Sequence, residues 1–268
     1  APHLEDGQVV YLPPGTLGSV AMLRAVREAG CRADVAFAET GTLPYLARKH
    51  GEDQVTITAY ATRLPTGVLP ARLNGPAFEI LRAGYPSVEP VEDALSGALM
   101  NAGPIIHPPL ILMNAGPLEH FPAWDIHNEG TQPSVRAVTN ALDAERVRVR
   151  EALGYGAPHF PLSDHYENDQ WMYGDAHKML VDSGDWREKI DLRAHRYMTE
   201  DVHYGLALLV SVAEATGTDV PVASGLLAMA SAICGRDLRQ GPRTLASLGL
   251  SGLTVPELKQ RLVSGEGL

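Results

Sequence analysis

His107 stands in Asn101-Ala-Gly-Pro-Ile-Ile-His-Pro-Pro109, an imidazole between a small-residue turn and two prolines. Arg196 and Asp201 stand five residues apart in Arg196-Tyr-Met-Thr-Glu-Asp-Val202, at what reads as a helix start. An imidazole exchanges protons near neutral pH, and a neighbouring carboxylate holds its tautomer and supports its charged form. A guanidinium offers a planar fork that meets a carboxylate in two bonds. These are the parts needed for redox chemistry on an amino or keto acid. Each residue also has an ordinary role: His107 as a satisfied core residue, Asp201 favouring the positive end of its helix, Arg196 as a surface cation. The apolar flanks Ile105, Ile106, Leu110 and Ile111 predict burial for His107, and a buried imidazole needs a partner.

A third segment is rich in aromatics, His and carboxylates: Ser163-Asp-His-Tyr166, then Trp171-Met-Tyr173 and Asp175-Ala-His177. Tyr166 and Trp171 are the candidates for lining a pocket around an amino partner's side chain; the alternative is a surface loop with anchored aromatics. No metal site is expected, because no His-Glu-x-x-His and no zinc-spaced Cys pair is present. The absence of a Gly-rich Lys-Ser/Thr loop and of a Gly-x-Ser-x-Gly elbow removes common NTPase and hydrolase readings.

The elements that must position these residues fall into two textures. Val9 to Leu12 and Asp34 to Ala38 are short apolar strands, Gln54 to Ala59 alternates like a strand with a solvated face, and Val20, Leu23, Val26 and Ala29 fall at helical spacing. A further helical stretch covers Ala71 to Ala83. Strand–helix–strand is the grammar of a parallel α/β sheet. Such a sheet presents ligands at the carboxyl ends of its strands, where Gly15 of Pro13-Pro14-Gly15-Thr16 and Glu39 and Thr40 of Glu39-Thr40-Gly41-Thr42 sit; a plain turn is the alternative. Beyond Asp93 helical patterns take over: Ser134 to Leu153, Glu200 to Ala215 with Thr199 as N-cap, Val222 to Cys234 after Pro221, and a last helix from Thr254. The expected fold is an α/β domain followed by an all-α domain, with residues 1–92 in the first and 93–268 in the second.

A length of 268 residues leaves ample core, and 45% hydrophobic with 20% charged residues is ordinary globular composition. The net charge of −10 and the lack of a Lys/Arg cluster argue against nucleic acid. No apolar run approaches the roughly 20 residues that span a bilayer. The two cysteines read as reduced structural thiols, and the lack of a signal peptide makes the cytoplasm the expected compartment.

The two opening segments, with their spacing and flanks, resemble the opine dehydrogenases of the octopine and nopaline dehydrogenase family. The resemblance extends to Pro14-Gly15-Thr16-Leu17-Gly18 and Glu39-Thr40, to Tyr204-Gly205-Leu206, and to Arg243-Thr244-Leu245 followed by Leu248-Gly249-Leu250-Ser-Gly-Leu253. It implies His107 as proton donor and acceptor, Asp201 as its orienting partner and Arg196 as carboxylate anchor. It implies a Rossmann-type dinucleotide-binding domain for residues 1–92 and a helical catalytic and substrate domain for residues 93–268, with NAD or NADP as cofactor and Gly15, Glu39 and Thr40 on the cofactor side. The implied substrates are an amino acid and a 2-oxo acid, joined into a secondary-amine dicarboxylate; no membrane partner is implied, and a homodimer stays open. Two departures stand out. The family begins with a strand and a Gly-x-Gly-x-x-Gly/Ala turn, which this sequence lacks, so a front segment is expected ahead of Ala1. Pro242 also stands where the family usually reads Gly-Arg-Thr-Leu without interruption. The rival reading is a non-catalytic helical binding module that keeps a carboxylate pocket without turnover.

Overall fold

A computed structural model describes residues 3–49, 51–174 and 187–268; Asp175 to His177 of the aromatic-rich segment lie outside the described residues. Strand β1 is Val9–Leu12, and after the Pro13–Gly15 turn helix α1 (Gly18–Glu28) buries Val20, Leu23 and Val26. Strand β2 (Ala36–Thr40) is buried at every position. Strands β3 (Tyr45–Lys49) and β4 (Val55–Tyr60) pair with each other in a separate antiparallel hairpin. The strand expected at Gln54 to Ala59 therefore exists, outside the main sheet. Strand β5 (Leu64–Leu69) is wholly buried, and a 3₁₀ turn leads from it into α2 (Asn74–Gly84) and the short β6 (Val88–Pro90).

The main sheet runs β1-β2-β5-β6. Its outer pairs are parallel, but β2 and β5 are antiparallel, with Thr40 opposite Thr66 and Phe37 opposite Leu69. The expectation of a parallel sheet is corrected there. A parallel neighbour needs a crossover that returns the chain to the opposite end. The β3–β4 hairpin instead brings it back beside the end of β2. Helix α3 (Ala94–Ala98) then crosses tightly over the sheet: a β-carbon on Gly67 would lie 1.8 Å from the Asp93 carbonyl oxygen.

Helices build the rest: α4 (Gly103–Met113), α5 (Ala115–His120), α6 (Pro133–Ala152), α7 (Ser163–Glu167), α8 (Tyr197–Leu206), α9 (Ala207–Thr216), α10 (Pro221–Cys234) and α11 (Val255–Ser264). Among the described residues past β6 the strand pairing is a two-residue antiparallel contact of β7 (Trp124–Asp125) with β8 (Arg187–Glu188). Helix α8 is π-helical and runs directly into α9. It begins at Tyr197, so Thr199 is not its N-cap. The Asp191 carboxylate accepts from the amides of Arg193 and Ala194 just upstream, closing the preceding turn and starting the helix earlier. No helix among the described residues is long and apolar enough to cross a membrane.

A buried polar seam joins the two halves. Asp93 caps α3 through the Ser96 amide (3.0 Å) and accepts from the Tyr155 hydroxyl (2.7 Å). Arg150, fully buried on α6, donates to the Ser96 carbonyl at 2.7 Å, and Arg146 to the Leu99 carbonyl at 3.2 Å. Burial, reinforced by the Arg146 charge, pulls the Arg150 guanidinium down to about 10. Buried charges persist only when their hydrogen bonds are met, so this seam fixes how α6 sits against the sheet.

Candidate active site

Two missing β-carbons bring the site together. A β-carbon on Gly205 of α8 would lie 2.0 Å from Pro104 Cγ, and one on Gly103 of α4 would lie 2.2 Å from Asp201 Oδ1. With neither present, α4 and α8 approach closely enough for His107 Nδ1 and Asp201 Oδ2 to stand 2.7 Å apart. Their side chains are only 15% and 11% exposed, so the pair is shielded from bulk water on most sides. Asp201 is the fifth residue of α8, beyond its first turn, and its charge faces the imidazole. His107 lies inside α4, not at its start, with Pro108 and Pro109 following it in the helix. A carboxylate on Nδ1 favours the tautomer in which that nitrogen donates, which leaves Nε2 as the ring nitrogen able to accept a proton.

Around this pair the packing is aromatic. The Tyr197 ring stacks on His107 at 3.7 Å with an 8° tilt, and its hydroxyl hydrogen-bonds His127 Nε2 at 2.7 Å. Asn101 accepts from the Gly103 amide (3.0 Å) and donates to Thr16 Oγ1 (3.2 Å), which ties the start of α4 to the turn after β1.

The pair faces a cavity of about 730 Å³ bounded by the Pro13–Thr16 turn on one side and by α4, α6 and α8 on the other. His107, Asp201, Arg196, Tyr166, Trp171 and Gly15 all line it. Arg196, just before α8, and Tyr197, Glu200, Asp201 and Tyr204 on it all line the cavity. The Arg196 side chain is 58% exposed, with the Glu200 carboxylate 3.8 Å away. Trp171 is 2% exposed, and its Nε1 has no hydrogen-bond partner among the described residues. Burial raises the Tyr166 phenol above its ordinary value, and the Arg136 guanidinium lies 4.6 Å over its ring.

Glu39 and Thr40 lie behind the cavity wall, fully buried and outside its lining. The Glu39 carboxylate accepts from the amides of Leu17 and Ser19, both at 2.7 Å. It thereby occupies the N-terminus of α1, where a ligand anion could otherwise sit. Burial pushes the Glu39 carboxyl up, opposed by its Ser19 and Leu17 bonds and by the Arg243 charge. Those bonds also hold Thr16 and Leu17 at φ of 50° and 56°, a left-handed conformation unusual for side-chain-bearing residues. Thr40 donates internally to the Thr42 carbonyl. His127, Tyr197 and Arg243 also line the cavity, and the sequence reading gave none of them a role of its own. The aromatic position after Arg196 and the Arg243-Thr244-Leu245 segment were the available signals.

The cleft thus joins an imidazole–carboxylate pair to guanidinium groups between a sheet and a set of helices. Residues 90–234, more than half the chain, match the family model described as NAD/NADP octopine/nopaline dehydrogenase, alpha-helical domain. The chain belongs to this family. It is 28% identical over 267 residues to the opine dehydrogenase of Arthrobacter sp. (strain 1C), covering 97% of this chain and 72% of that protein. It is also 28% identical over 239 residues to vitopine synthase of Allorhizobium ampelinum, covering 81% of this chain and 61% of that protein. Among solved structures, octopine dehydrogenase with NADH and L-arginine superposes with a TM-score of 0.68 at 17% identity, covering 100% of this chain and 74% of that one. Yersinopine dehydrogenase with NADP⁺ bound gives 0.63 at 17% identity, covering 96% and 71%.

Proposed function

We propose that the protein is an NAD(P)H-dependent opine-type oxidoreductase, which condenses an amino acid with a 2-oxo acid and reduces the product to a secondary-amine dicarboxylate, or runs the reverse. The observation that carries this is the 2.7 Å His107–Asp201 pair, opening on one cavity with Arg196. Condensation joins the amine nitrogen to the carbonyl carbon and expels water. The ammonium must first lose a proton, and the amine nitrogen gains one on reduction. His107 Nε2 handles both transfers, with Asp201 holding Nδ1 and stabilising the imidazolium. Tyr197 keeps the ring in plane. Arg196 holds a substrate carboxylate, its exposed guanidinium free to reach one.

Bound NADH or NADPH would supply the hydride for the reduction. The Pro13–Thr16 turn, at the carboxyl end of β1 and on the cavity wall, fits the edge of such a dinucleotide. No Gly-x-Gly-x-x-Gly turn occurs in this sequence, so these residues account for that edge and not for phosphate contacts. In this reading residues 1–92 serve the cofactor side and residues 93–268 the catalysis and substrates. Tyr166 and Trp171 shape the subsite for the amino partner's side chain. The free thiols of Cys31 and Cys234 fit a reducing cytoplasm.

Arg196→Ala tests the anchor. A hydrogen bond to a charged group contributes about 1.5–3 kcal/mol, so KM for the anchored substrate should rise about 10–100-fold with the fold intact. Arg196→Lys should recover only part, since an ammonium keeps the charge without the fork. An unchanged KM with a lowered melting temperature would assign Arg196 a structural role instead.

A further inference from the structure

Among the cations lining the cavity, Arg243 carries a buried guanidinium nitrogen, Nη1, that no acceptor among the described residues meets. The residue lies on the loop between α10 and α11. The guanidinium stands over the first turn of α1, 3.1 Å from where a β-carbon on Gly18 would be, and 5.8 Å from the Tyr204 ring centroid. The nearby carboxylate is Glu39, whose two oxygens are each committed to a backbone amide, of Leu17 and Ser19. A buried cationic N–H without an acceptor is costly, and the side chain that carries it lines the cavity.

Position along α8 gives the second half of the argument. Arg196 precedes the first residue of the helix, Asp201 sits in its middle against His107, and Tyr204 near its end lies beside Arg243. Residues 196 and 204 are at most about 12 Å apart along the axis at α-helical rise, less in a wider helix. Two long guanidinium side chains therefore flank the His107–Asp201 pair from opposite ends of one helix. From this arrangement we infer that Arg243 is a second anion anchor, which takes the carboxylate that Arg196 does not hold. The site would then recognise an N-carboxyalkyl amino acid by both acid groups at once, with the secondary amine between them at His107. This rests on the reaction proposed above and names how its dicarboxylate is read.

The test is calorimetric titration of NADH or NADPH and, in its presence, of an N-(1-carboxyethyl) amino acid and of pyruvate. Wild type, Arg243→Met and Arg243→Lys are compared, with melting temperatures recorded. Arg243→Met should weaken dicarboxylate binding by about 10–100-fold while leaving pyruvate affinity unchanged. Arg243→Lys should fall between, because charge remains and the fork is lost. Unchanged dicarboxylate affinity overturns the assignment. A loss confined to NADH or NADPH affinity also overturns it, and gives Arg243 to a cofactor phosphate. Wild type that binds neither pyruvate nor the dicarboxylate would refute the proposed reaction itself, which is a separate failure.

Discussion

His107→Ala is expected to lower kcat by about 10²–10⁴-fold, the usual contribution of a positioned proton-transfer group. The loss should fall on kcat, because Arg196 does not touch the imidazole and binding of the 2-oxo acid survives. The substitution also leaves the mostly buried Asp201 carboxylate without its 2.7 Å partner and Tyr197 without its stacked ring. An unpaired buried acceptor costs about 1–3 kcal/mol, so the melting temperature should fall as well. The folded fraction must therefore be measured beside the rate. Asp201→Asn separates the two effects: the shape remains, but an amide cannot support an imidazolium. It should lose rate with little change in melting temperature. A kcat reduced by less than about tenfold in folded His107→Ala would remove the residue from the proton-transfer role.

Gly205→Ala should reverse the usual sign of a glycine replacement. In an open helix interior, alanine is more stable than glycine by about 0.5–1 kcal/mol. Here the new β-carbon would meet the Pro104 ring at 2.0 and 2.6 Å, and a proline ring has no rotamer to turn away. The helices α4 and α8 must part, at about 1–3 kcal/mol for overpacking. Parting them lengthens the His107–Asp201 contact, so melting temperature and kcat should fall together. Gly225 on α10 is the control, because a β-carbon there meets nothing within 4 Å. Gly225→Ala should be neutral or stabilising with full activity. Equal, harmless behaviour of both variants would contradict the account of how the pair is assembled.

The elements most legible in the sequence carry their own local chemistry. Val9 to Leu12 is an apolar run stopped by two prolines, and Pro221 and Thr254 mark helix starts that the structure places at Pro221–Cys234 and Val255–Ser264. Less legible was β5, a short strand that carries Pro65 and Gly67. Gly67 is there because the Asp93 carbonyl leaves no room for a β-carbon, a contact between residues distant in sequence. The reversed direction of β5 has the same origin, since strand pairing depends on where the β3–β4 hairpin returns the chain. At the site, the His107 and Arg196 to Asp201 segments stood out by residue type. The π-helical turn that aligns Arg196, Asp201 and Tyr204, and the loop that lays Arg243 over α1, are set by packing and have no local pattern. Glu39 was read for the cofactor by its strand-end position; its two amide bonds show a side chain turned inward to build the turn.

The central claim is that this cleft makes a carbon–nitrogen bond and reduces it. The direct measurement follows NADH and NADPH oxidation by the protein with pyruvate and a panel of amino acids, with mass spectrometry of the products. The account predicts oxidation that requires both organic substrates and yields one secondary amine carrying two carboxylates per cofactor consumed. Oxidation with the 2-oxo acid alone, giving the hydroxy acid and no coupled amine, would contradict it.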